Sequence, residues 1–78
     1  VLAEGAIRHG ARLPARQRDL LLGYRDFQRA SDADRRGDTA AAMAMYLSSQ
    51  RRYREVVRQD TTDAEAWYGL ADALWHHR

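Results

Sequence analysis

Thr62-Asp63-Ala64-Glu65-Ala66-Trp67-Tyr68-Gly69-Leu70-Ala71-Asp72-Ala73-Leu74-Trp75 reads as one amphipathic helix with a written start. Thr62 and Glu65 have the spacing of a capping box, in which each side chain bonds the other's orphan backbone N–H. Trp67, Leu70, Ala71 and Leu74 fall at i, i+3, i+4 and i+7, which makes a single apolar face. A lone helix of this length is marginal in water, so the face needs partners. The indole of Trp67 is expected at the centre, resting between two longer helices and shielded from water.

Those helices lie upstream. Gly37-Asp38 is the sharpest punctuation in the chain: glycine ends a helix in the left-handed conformation, and aspartate caps the next at once. Pro14 sits where proline is best tolerated, in the first turn of a helix running to Arg36. Its expected inward face is Leu13, Gln17, Leu20, Tyr24, Phe27 and Ser31, flanked by Leu21 and Ala30. Gly23 is out of place there, since a mid-helix glycine costs about 1 kcal/mol relative to alanine. After the corner, Ala42, Met43, Tyr46, Ser49, Gln50, Tyr53, Val56 and Val57 cluster on one side of a helix from about Thr39 to Gln59. So short a turn makes the two helices antiparallel. Val1 to His9 reads as the end of an earlier helix closed by Gly10. No period-two alternation suggests a strand. The expected fold is all-α, about four helices over 2–9, 14–36, 39–59 and 63–76, in one helical domain spanning 1–78.

Composition narrows the function. Seventy-eight residues hold one small core at most. The absence of cysteine removes disulfides and Cys-based zinc, and fits a reducing compartment. No apolar run reaches membrane-spanning length. All 13 basic residues are arginine, which with the many alanines suggests a GC-rich bacterial genome. The 11 acidic residues leave a formal net charge of only +2, too little for a dedicated nucleic-acid binder.

The order of residues resembles a known family. Trp67-x-x-Leu70-Ala71-x-x-Leu74 is similar to the tetratricopeptide signature, with alanine for its small residue and leucine for its last aromatic. Tyr53 and Val56 fit the later part of a preceding repeat, and Asp60 to Trp67 resembles the inter-repeat link with Thr61 at the usual proline. Gly37-Asp38 followed by Ala42 and Tyr46 is similar to the mid-repeat turn. Tyr24-x-x-Phe27, the match to the earlier opening motif, lies 43 residues before Trp67, whereas the family repeats every ~34. Gln28 and Ser31 depart from its glycine and tyrosine. Arg12 to Leu22, Gly37-Asp38 and Ala66 to Trp75 also resemble helical repeat regions of large bacterial signalling proteins, among them Ser/Thr kinases and repeat-rich transcriptional activators. The resemblance implies an α-solenoid of antiparallel hairpins, a fragment of a longer array, acting as a cytoplasmic scaffold. It carries no kinase activity: there is no glycine-rich phosphate loop, and no lysine.

A protein or peptide partner is therefore the expected ligand. By the family analogy its contacts are Tyr68, Asp72, Trp75 and His76 on the last helix, with pairing of two copies through that helix as the alternative. Other candidates are weaker. Arg18, Arg25, Arg29 and Arg36 form one stripe and Arg51, Arg54 and Arg58 another, the basis of a weaker alternative as a basic helical nucleic-acid-binding domain, but pairs such as Asp32–Arg36, Asp26–Arg29 and Arg51–Glu55 quiet them. His76 and His77 point about 100° apart on a helix and cannot chelate together. Met43 is read as core and Met45 as its margin. No serine has a histidine at helical spacing, so no catalytic residue, cofactor or metal site is expected.

Overall fold

The computed structural model describes residues 14–76, which form three helices: α1 (Ala15–Arg35), α2 (Thr39–Gln59) and α3 (Ala64–His76). The expected helix over 2–9 and its Gly10 stop lie outside the described residues. No strand occurs among those described.

The α1–α2 corner forms as its residues dictate. Gly37 takes a positive φ of 78°, which a side chain would resist. Its N–H donates to the Asp34 carbonyl at 2.9 Å, closing α1. Asp38 then accepts from the Ala41 N–H at 3.1 Å and caps α2. The two 21-residue helices fold back on each other.

Their seam is narrower than periodicity suggested. On α1 the buried residues are Gly23, Ala30 and Ala33. Leu20, Phe27 and Ser31 of the expected face are half-buried, while Gln17 and Tyr24 are exposed. Small side chains win these positions because α2 brings bulk of its own. Tyr46 and Tyr53 are buried on it, and the Ser49 hydroxyl donates to the Gly23 carbonyl at 2.8 Å. On α2 the expected set holds except for Met43, which is exposed; Met45 is half-buried and packs against the cluster of Ala30, Ala33, Ala42 and Tyr46.

Tyr53 is the point where all three helices meet. An added Cβ on Gly23 of α1 would lie 3.0 Å from its ring, and one on Gly69 of α3 would lie 2.4 Å away. The two mid-helix glycines exist for this ring. Beside it, Val56 and Val57 pack with Ala66 of α3 and Leu20 of α1.

The docking of α3 corrects the reading of its face. Ala66, Leu70 and Ala73 are buried, whereas Ala71 and Leu74 are exposed and Trp67 keeps 48% of its surface in water. The indole does not rest between α1 and α2. Its N–H donates to the Thr61 carbonyl at 2.8 Å, holding the ring at the edge of the α2–α3 turn. The reason is room: with Tyr53 filling the centre, α3 seats only through alanine, glycine and one leucine.

The start of α3 differs too. Asp63, one residue after the expected cap, accepts from the Ala66 N–H at 3.2 Å. Thr62 instead donates its N–H and hydroxyl to Asp60 in the turn, at 3.0 and 2.6 Å. Glu65 does not reach back to Thr62; it accepts from Arg16 at 3.2 Å.

Candidate protein-interaction face

At 100° per residue the inner arc of α3 is Ala66, Leu70 and Ala73. The neighbouring arc, about 120° wide, carries Leu74, Trp67, Ala71, Trp75 and Tyr68, all of them exposed. Tyr68 is 77% and Trp75 65% open to water. Beyond them come Asp72 and Glu65. Apolar residues thus cover about 200° of the helix, far more than its seat on the hairpin uses. A helix apolar on so much of its circumference has more than one neighbour to satisfy.

The bare arc extends onto α2. Gln50 donates its side-chain N–H to the Ala73 carbonyl at 3.3 Å, which fixes the middle of α2 against the last turns of α3. One and two turns before Gln50 stand Leu47 and Met43, both exposed. Arg54, exposed one turn after Gln50, borders the patch on that side, and Asp72 borders it on the other.

A polar pin sets the angle of α3. The Arg16 guanidinium, at the start of α1, donates to both oxygens of Asp63, with Nη2 to Oδ1 at 3.1 Å, and to Glu65. That bond is the main reason the Asp63 carboxyl titrates below its usual range, the Ala66 N–H adding to it. The same contact raises Arg16. Farther along, Tyr53 is pushed up to about 12, first by burial and then by the charges of Asp72 and Glu65.

The four residues assigned to a partner by analogy divide. Tyr68, Asp72 and Trp75 stand outward on α3. His76 turns back to the hairpin, its ring 5.3 Å edge-on from Phe27 and 5.9 Å stacked over Tyr46. It closes the end of the docked helix. Trp67, expected inside, joins the exposed set.

The acidic residues expected to quiet the arginine stripes hold other groups, among them the stripe arginine Arg58. Asp32 holds Arg35, Glu55 holds Arg58, and Asp26 accepts from the Ser48 hydroxyl. Arg52 lies 3.8 Å from Asp19. The cleft of about 300 Å³ at the corner, between Arg29, Asp32 and Arg36 of α1 and Ala41, Ala44 and Met45 of α2, holds no nucleophile and base in contact. No three His, Asp or Glu converge among the described residues, and no helix there is long and apolar enough to cross a membrane.

Sequence reasoning missed the Arg16–Asp63 pin, since nothing local marks a pair 47 residues apart. It missed the Tyr53 seat as well, although Gly23 and Gly69, two helical glycines with no turn to explain them, were its signal. No family model, no curated protein and no solved structure matches this chain.

Proposed function

We propose that this chain is a non-catalytic protein–protein interaction module, a tetratricopeptide-like scaffold segment of a larger bacterial cytoplasmic protein, and that α3 is its docking face. One observation carries the reading. Trp67, Tyr68, Leu74 and Trp75 are bared together on one helix whose seat is already filled. Contiguous exposed aromatics of this extent mark contact surfaces. In the repeat resemblance the Trp67, Ala71 and Leu74 edge is where the hairpin partner of α3 would lie, so a helix of another protein fits the same place.

Replacement of Tyr68 by serine tests this together with acrylamide quenching of tryptophan fluorescence. At concentrations where the chain is monomeric, a docking face predicts quenchable indoles, and a midpoint of thermal unfolding that Tyr68→Ser leaves within a few degrees. Shielded indoles, or a collapse of the fold on losing Tyr68, would mean that the arc belongs to the chain's own core.

A further inference from the structure

We infer that the partner of this face is a second copy of the chain, with the two α3 helices side by side and parallel about a two-fold axis along their length. The inference rests on reading α3 as a docking face and names its occupant.

Area is the first argument. Exposed fractions of 48, 77 and 65% at Trp67, Tyr68 and Trp75 leave roughly 400 Å² of aromatic surface bare, taking ~200 Å² for a whole side chain. Leu74 and Leu47, exposed to 42 and 37%, bring the patch to on the order of 550 Å². Two such patches face to face bury about 1,100 Å², above the roughly 1,000 Å² that a specific interface clears. Ala64 at the start of the arc and Ala71 in its middle, both exposed, are the small residues that let two helices approach closely.

Charge fixes the direction. The apolar patch runs between two edges of opposite sign, Asp72 on α3 and Arg54 on α2. An axis along α3 exchanges the edges, so Asp72 of each copy meets Arg54 of the other. An axis across α3 would set like against like, which costs free energy. Arg54 sits one turn after Gln50, the residue level with Ala73, and so stands within a long side chain's reach of the level of Asp72. With a formal net charge of +2, the two copies repel each other little.

The test is sedimentation velocity of the whole chain over a hundredfold range of concentration, with three variants. The wild type is expected to pass from monomer to dimer. Ala71→Asp, a change on an exposed helical position, should raise the dissociation constant at least a hundredfold while the circular dichroism stays unchanged. Asp72→Arg should weaken the dimer, and adding Arg54→Asp should restore it. Ala64→Cys, the only thiol in the chain, should give a disulfide-linked dimer under mild oxidation, because only the parallel pairing brings the two 64 positions together. A dimer that Ala64→Cys fails to link overturns the parallel geometry. A monomer at every concentration overturns the dimer altogether. In that case, tryptophans open to acrylamide leave the docking reading standing for a different protein, and shielded ones remove both.

Discussion

The ring of Tyr53 occupies the space that a side chain on Gly69 would need, with an added Cβ 2.4 Å from the ring. Gly69→Ala therefore sets two effects against each other. Alanine is a better helix former by about 1 kcal/mol, but forcing a methyl into packed atoms costs typically 1–3 kcal/mol. The obstacle is a ring wedged between two helices, so it cannot swing aside and overpacking wins. Gly69→Ala is expected to lower stability by up to about 2 kcal/mol. In a Tyr53→Ala background the same change should become neutral or stabilising. Urea denaturation of the four members of the cycle measures the coupling.

Leu70 and Leu74 look equivalent in the helical pattern and differ in the fold. Leu70 is buried and Leu74 is exposed. Leu70→Ala is expected to cost about 2–4 kcal/mol, and Leu74→Ala less than about 1 kcal/mol. Chemical denaturation of the isolated monomer decides it, and equal losses would put the seam where periodicity first placed it.

Asp63 serves two partners at once, capping α3 and holding Arg16. Asp63→Ala removes both and should cost about 1–2 kcal/mol, the upper range for a cap. Asp63→Asn keeps the cap oxygen and should recover most of that loss. Arg16→Ala spares the cap, and its effect should be the smallest of the three.

Acid should loosen the α2–α3 end first. Asp63, Asp60 and Glu55 all titrate below their usual range, held by Arg16, Thr62 and Arg58 in turn. A depressed carboxyl contributes stability that is present above the ordinary value near 4 and lost as pH falls through the folded value. Chemical shifts of the α3 amides, followed from neutral pH downward, should move before those of the α1–α2 corner.

The alkaline limit has the opposite sign. The Tyr53 phenol is raised to about 12, so the fold favours its neutral form. Stability is whole below the unfolded value near 10 and falls as pH rises toward 12. Tyr53→Phe should abolish that part of the alkaline loss, read as denaturation midpoints between these limits.

Much of the fold is written locally. The all-helical class, the Gly37-Asp38 corner and the buried line from Ala42 to Val57 on α2 follow from residues a few positions apart, where capping and the 3.6-residue period act. The candidate site was legible in part: Tyr68, Asp72 and Trp75 stand outward on α3 as the repeat resemblance implied, while His76 packs on Phe27 and Tyr46. The place of Trp67 was not, because indole hydrophobicity ranks it first for burial while burial is assigned by shape.

What the sequence by itself determined is where helices start, stop and turn back, since those depend on backbone groups and their nearest side chains. Which face of α1 and α3 goes inside was decided by tertiary structure alone. Tyr53 claims the middle, only glycine and alanine fit around it, and Arg16 ties down the start of α3. The larger apolar residues of that helix are left in water because close packing admits what fits, and not what is most hydrophobic.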